Sequence, residues 1–270
     1  MTILDEIAEK TRERIAARKR LYPLENLRRD AEEAPRLPAP PGRRPFEVAL
    51  SGEEMSFICE VKKASPSKGI IAKDFPYLEI ARAYEAAGAA AISCLTEPFY
   101  FLGKDEYLRR IAGEVQIPVL RKDFTVDEYM IYQARALGAS AVLLICAILD
   151  DAQLGAWRQL AQELGMDALV EAHDEREIER AAACGAKIIG VNNRNLKDFS
   201  VDTANSSRLR ALAPESVLFV AESGISDPGQ IRTLKEDGVD AVLVGETLMR
   251  ARDKKAALKW LRGDGDENQN

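Results

Sequence analysis

"ALGASAVLLIC", Ala136 to Cys146, contains the pattern that decides the fold. Gly138 follows a stretch of helical period, Asp127–Leu137, and precedes a short apolar run, Ala141–Cys146. Glycine takes the left-handed conformation that ends a helix at little steric cost, so helix, turn and strand follow in that order. The same order recurs in "AAGAAAI" (86–92), "ELGMDAL" (163–169), "ACGAKII" (183–189) and "EDGVDAV" (236–242). Runs of this kind predict eight strands: "FICEVK", "AISCLT", "PVLRKDF", "AVLLIC", "ALVEAH", "IIGVNN", "VLFVAES" and "AVLVGE". Helical segments between them include Tyr77–Ala87, Asp150–Leu164, Asp174–Cys184 and Asp227–Asp237. Several open on Asp, a good N-cap. Strands alternating with helices imply parallel pairing. Eight such units in about 200 residues imply an α/β fold of the (β/α)8 TIM-barrel type with an N-terminal helical extension. An open doubly wound sheet is the competing layout, but its Gly-rich first turn, GxGxxG, does not occur here.

The predicted barrel spans residues 56–262. Residues 1–55 stand outside the repeat and read as a helical extension with a Pro-rich connector. Leu4, Ile7 and Ile15, with Thr11 between them, give its first helix one apolar face. Five prolines follow between Pro35 and Pro45 and stiffen the link to the barrel. Such a helix can plug the barrel bottom, pack outside it, or lie over the site as a lid. Residues 263–270 are expected to form a disordered, frayed tail.

The bulk numbers narrow the function. A chain of 270 residues with 46% hydrophobic and 30% charged residues can bury a sizeable core. A net charge of −6 argues against a nucleic-acid partner or an anionic membrane surface. Cys59, Cys94, Cys146 and Cys184 form no CxxC pair and read as buried reduced thiols. With His173 as the single histidine, a multi-His metal site is excluded, and no metal is expected. The longest uncharged stretch, Ala136–Leu149, is shorter than the roughly 20 residues of a spanning helix. The N-terminus mixes acids and bases unlike a signal peptide. A soluble cytoplasmic protein is expected.

Charged residues in the strands show where a site should lie. Side chains alternate between the two faces of a barrel strand. Ile58, Glu60 and Lys62 therefore share one face, as do Leu120, Lys122 and Phe124. So do Leu169 and Glu171; Gly190, Asn192 and Arg194; and Leu218, Val220 and Glu222. Each set turns polar toward its C-terminal end, the end at which barrel active sites are built. Two lysines, three carboxylates and an Asn converge there, and burying them requires mutual pairing. After the last two strands, Gly224 in "ESGI" and Gly245 in "GETL" stand at turns that open helices. Barrels often hold phosphate there through backbone N–H groups. At Glu246 any such contact falls to the amide, since its carboxylate repels an anion. "SPSKG" after the first strand adds the hydroxyls of Ser65 and Ser67 and a mobile Lys68.

"CEVKKASPSKG", "PVLRKDF", "LVEAHD", "GVNNRNL", "VAESGI" and "VLVGETLM", in that order, resemble indole-3-glycerol-phosphate synthase. The resemblance covers Ser56 to about Trp260 and includes the helical extension. It implies closure of the pyrrole ring of 1-(2-carboxyphenylamino)-1-deoxyribulose 5-phosphate, with loss of CO2 and water and with no metal or organic cofactor. It matches Lys122 to the general acid and Glu171 to the catalytic carboxylate of the dehydration. Lys62 matches the lysine that holds the substrate carboxylate and assists proton transfer. Glu60, Asn192, Glu222 and Ser223 match residues that orient substrate and stabilise charge, and Arg194 matches a mouth arginine. Phe101 and Phe124 would wall the aryl ring. The partner implied is this phosphosugar–anthranilate molecule, bound by a monomer or weak homodimer. Cys94 departs from an aliphatic position in the family and is expected to face outward.

Other residues are expected to be structural. His173, just past Glu171, is expected to point to the other face. Lys63 is expected in an outer salt bridge, Arg121 and Asp123 on the face opposite Lys122, and Trp157 and Trp260 as helix packing anchors. Three competing functions remain at this level. A Schiff-base aldolase would use Lys122 as nucleophile, which needs a depressed lysine pKa. An aminosugar-phosphate isomerase would want an inward Cys–Asp pair. A silent phosphate-binding scaffold would have no need of Lys122 and Glu171 together.

Overall fold

Eight parallel strands close into a ring in the computed structural model, which describes residues 2–195 and 199–264. They are β1 (Ser56–Val61), β2 (Ala91–Leu95), β3 (Val119–Lys122), β4 (Ala141–Ile145), β5 (Asp167–Ala172), β6 (Ile188–Asn192), β7 (Leu218–Glu222) and β8 (Ala241–Val244). β1 pairs with both β2 and β8, Ile58 lying opposite Ala91 on one side and Leu243 on the other, so the sheet has no free edge. α4 (Tyr77–Ala86), α5 (Asp105–Ala112), α6 (Glu128–Ala136), α7 (Asp151–Glu163), α8 (Glu175–Ala183), α9 (Ala204–Arg210) and α10 (Pro228–Glu236) join successive strands. α1 (Ile3–Leu21), α2 (Leu24–Glu33) and α3 (Pro45–Leu50) precede the barrel, and α11 (Glu246–Arg250) and α12 (Lys254–Leu261) follow it. Residues 265–270 of the expected frayed tail lie outside the described residues.

The punctuation works as the sequence implies. Gly138, after α6, has φ +90°, a value that would strain any L side chain. The glycines at the four equivalent helix ends share that left-handed conformation. Asp127, Asp150, Asp174 and Asp227 cap α6, α7, α8 and α10, each side chain accepting a backbone N–H of the first turn.

Alternation sorts the strand residues into two cores. Ile58, Leu120, Leu143, Leu169, Val220 and Leu243 fill the barrel interior. Phe57, Cys59, Cys94, Val142, Val170 and Phe219 face outward under the helices. The extension divides between the two ends of this interior. Phe46 and Leu50 of α3, both wholly buried, close the bottom, where Arg44 Nε and the Glu47 amide bind the Asp167 carboxylate at 2.6 and 2.9 Å. α1 lies at the opposite end, where Ile3, Leu4 and Ile7 line the mouth. The helix at the bottom and the helix at the mouth are thus different ones. Trp157 and Trp260 pack partly buried against the outer core.

Some strands stop earlier than their apolar runs suggest. Beyond β3 the Asp123 carboxylate accepts the Phe124 N–H at 2.9 Å, which takes that group from the ladder. Beyond β7, Ser223 turns to φ +68°. Phe124, Ser223, Gly245 and Glu246 therefore sit at the rim rather than on strands. "SPSKG" is no open loop either: Ala64–Ser65 pairs with Gly69–Ile70 as a short antiparallel hairpin.

Candidate active site

The C-terminal mouth opens into a cavity of about 620 Å³, lined by all fourteen residues that the sequence proposed for the site. Its floor is a polar layer contributed by the last inward position of several strands. Lys122 Nζ lies 3.0 Å from Glu171 Oε2 and 2.5 Å from Glu222 Oε2. Lys62 Nζ lies 2.5 Å from Glu60 Oε1, and Ser93 Oγ donates to Glu60 Oε2 at 3.4 Å. Asn192 donates to Glu171 Oε1 at 3.4 Å. The register explains the convergence: Glu60 is opposite Ser93, Glu171 opposite Gly190, and Asn192 opposite Glu222. Gly190 supplies the room, since a Cβ there would come within 2.2 Å of Glu222 Oε1.

The pairing sets the charges. Burial works against the Lys122 ammonium, but Glu171, Glu222 and Glu60 outweigh it and raise its pKa well above that of an ordinary lysine. Burial likewise disfavours a charged Glu171, yet Lys122 and His173 hold its carboxyl below the usual value. Glu222 differs. Burial pushes it up to about 7, with Lys122 opposing and Glu171 adding repulsion. Its Oε1 is buried without a hydrogen-bond partner among the described residues. Around Lys122 the floor thus holds a firm cation, a firm carboxylate in Glu171 and, in Glu222, a carboxyl that burial raises well above the usual range.

The rim surrounds this floor. Phe101 and Phe124 face each other with ring centroids 6.1 Å apart, forming an apolar wall. The backbone N–H groups of Phe99, Tyr100 and Phe101 all donate to the buried Glu97 carboxylate, which fixes their loop. Ser65 is buried at the cavity edge beside Lys62. Arg194 donates to the Phe199 carbonyl at 3.1 Å. Gly224 turns at φ +79°, and Gly245 N-caps α11 against Glu60 and Lys62. The Glu246 carboxylate is taken by Arg250 at 3.1 Å and Lys68 at 3.6 Å, and the residue lines the cavity.

Two expectations need correction. His173 does not point away from Glu171: its Nε2 lies 3.6 Å from Glu171 Oε1, because a period of two returns residue 173 to the side of residue 171. Lys63 makes no ion pair among the described residues, and its carbonyl instead accepts from Ile71 and Ala72. Arg121 and Asp123 bond to one another and to Thr96; Arg121 lies off the cavity as expected, whereas Asp123 reaches its lining. Cys94 faces the outer core. Cys59 does too, and burial pushes its thiol up to about 12, which removes the inward cysteine an isomerase would want. Sequence reading passed over Ser93, although alternation from Ala91 reaches it. It also passed over Ile3, Phe199 and Val201, which join the cavity through tertiary packing alone.

Known proteins resemble this chain along nearly its whole length. Residues 4–261 match the family model for indole-3-glycerol phosphate synthase. The indole-3-glycerol phosphate synthase of Lachnoclostridium phytofermentans is 51% identical over 267 residues, covering 96% of this chain and 98% of that protein. That of Lacticaseibacillus casei is 52% identical over 256 residues, covering 95% and 97%. Among solved structures, a 3-hexulose-6-phosphate synthase aligns with TM-score 0.61 at 17% identity, over 78% of this chain and all of that one. A variant of the Pyrococcus furiosus tryptophan synthase alpha-subunit aligns with TM-score 0.57 at 13% identity, over 77% and 98%. These distant likenesses establish the barrel fold. The match over nearly the whole length, with half the residues identical, establishes more: the chain belongs to the indole-3-glycerol phosphate synthase family.

Proposed function

We propose that Lys122 is the general acid of this mouth and Glu171 the carboxylate that serves the dehydration. The reaction is the family's decarboxylating ring closure in tryptophan biosynthesis. Its substrate is 1-(2-carboxyphenylamino)-1-deoxyribulose 5-phosphate. An aryl carbon bonds to the ketone carbon, whose oxygen takes a proton from Lys122. The carboxylate leaves as CO2, and its bonding pair returns to the ring. The new hydroxyl then leaves as water with a further proton, while a proton departs from the forming ring to Glu171. A positioned acid or base contributes about 10²- to 10⁴-fold to such steps.

One contact carries this assignment: Lys122 Nζ between Glu171 Oε2 and Glu222 Oε2, at 3.0 and 2.5 Å. A lysine flanked by carboxylates stays an ammonium, which suits a proton donor and disfavours a Schiff-base nucleophile. Lys62 holds the substrate carboxylate, with Glu60, Asn192, Glu222 and Ser223 orienting the molecule around it. Phe101 and Phe124 take the aryl ring. The amides at Gly224, Gly245 and Glu246, with Ser65 and Arg194, take the phosphate end and the rim. Fixing both ends leaves the reacting carbons over Lys122. The enzyme works in this reading in the cytoplasm, as a monomer or weak homodimer, with no nucleic-acid or membrane partner. The net charge of −6 favours that view.

Adding the substrate and following indole fluorescence measures turnover directly. Lys122→Ala is expected to lower kcat by about 10²-fold or more, with a smaller loss of substrate affinity. A near-normal kcat in that variant would refute the general-acid role.

A further inference from the structure

His173 is the chain's one histidine, and the steps above make no use of it. Its position is unusual. The backbone N–H donates to Glu177 Oε2 at 2.8 Å, and ring Nδ1 lies 3.3 Å from the same oxygen. Nε2 is buried, has no hydrogen-bond partner among the described residues, and lies 3.6 Å from Glu171 Oε1. Its carbonyl accepts from Asn205 Nδ2 at 3.2 Å, which ties the residue to α9. The ring is thus set between two carboxylates, one from α8 and one from β5. A neutral imidazole has one N–H and must turn a lone pair toward one of them. Only the imidazolium presents an N–H toward both.

The two oxygens of Glu171 are correspondingly divided. Oε2 meets Lys122 Nζ, while Oε1 meets Asn192 and faces the imidazole. We propose that His173, held by Glu177, is a positioning residue that keeps Glu171 ionised and fixes which oxygen faces Lys122. This rests on Glu171 being the carboxylate of the dehydration. The charged groups facing the ring are Glu177 from α8, Glu171 from β5 and Glu222 from β7, with Lys122 reaching Glu171 from β3. Burial works against the imidazolium, but Glu177 and Glu171 outweigh it and raise the His173 pKa above the ordinary 6.5. As pH rises through that value the ring loses its proton, and Glu171 loses one of its two cations.

A sole histidine gives one unambiguous imidazole signal, so NMR titration of the whole enzyme tests the arrangement directly. The wild-type imidazole should titrate above 6.5, and its midpoint should move down in Glu177→Gln and in Glu171→Gln, each of which removes a carboxylate facing the ring. In kinetics, wild-type kcat should decline on the alkaline side with the same midpoint, and Glu177→Gln should move that decline to lower pH. His173→Asn should lower kcat about tenfold and abolish that decline while KM changes little. A merely structural role would lower activity evenly across pH. If Glu171→Gln keeps its turnover, the dehydration role of Glu171 fails and this proposal with it. If Glu171→Gln is inactive but Glu177→Gln leaves the imidazole titration in place, the proposal alone is overturned. That titration decides the matter even if His173→Asn does not fold.

Discussion

Glu222 shows how one residue can serve a site at the expense of stability. One oxygen rests on Lys122, and the other fits into the space left by Gly190 with no partner among the described residues. Burial raises its carboxyl to about 7, so the folded state binds this proton more tightly than the unfolded chain does. The stability it contributes is therefore complete below the ordinary 4.5 and lost as pH rises through about 7. Glu222→Gln cannot titrate, so its Tm should fall less than the wild-type Tm between pH 5 and 8, by a few degrees. His173 acts in the same direction and itself feels the Glu222 charge, so the comparison is repeated in a His173→Asn background to separate the two. Equal pH slopes in calorimetry would show that the carboxyl does not titrate there. Activity should drop in the same variant, because Lys122 loses one of its two carboxylates.

At the scale of elements, helix starts and stops are written locally. Asp150 and Gln153 form a reciprocal capping box on α7: the Gln153 N–H donates to Asp150 at 2.8 Å and the Asp150 N–H to Gln153 at 3.0 Å. Losing such a cap costs about 1 kcal/mol. Asp150→Ala should therefore lower unfolding free energy by about 1 kcal/mol in urea titrations, with kcat and KM unchanged. The same locality made eight strands and the Asp-capped helices readable from period and punctuation. α3 was not readable, because six residues beginning with a proline give too little period to see. The end of β3 was not readable either, because it depends on where the Asp123 side chain folds back.

Across the whole molecule, the extension and the barrel act on one site. Arg14 of α1 donates to both oxygens of the fully buried Asp123 at 2.9 Å, one residue from Lys122. Arg18 binds Asp105 and Lys19 binds Asp127, so α1 is clamped along the mouth. Burial opposes an ionised Asp123, but Arg14 and Arg121 hold its carboxyl below the usual range. Arg14→Met removes one of these cations from a buried charge. It should cost about 2 kcal/mol, less than for a pair broken outright, since Arg121 remains. Because Ile3, Leu4 and Ile7 on the same helix line the cavity, KM should rise several-fold while kcat changes less. An unchanged KM would show that α1 has no part in enclosing the substrate.

The sequence by itself determined the barrel, the face of each strand and the polar layer, because alternation and helix punctuation depend only on near neighbours along the chain. Hence Glu60, Lys62, Lys122, Glu171, Asn192 and Glu222 were legible together, and their order of motifs was enough to suggest the family. Only the tertiary structure decided that Glu222 Oε1 is buried with no partner among the described residues, that His173 lies between two carboxylates, and that α1 and α3 sit at opposite ends. Those outcomes depend on contacts between residues far apart in sequence and on the burial of charge. No local pattern encodes either.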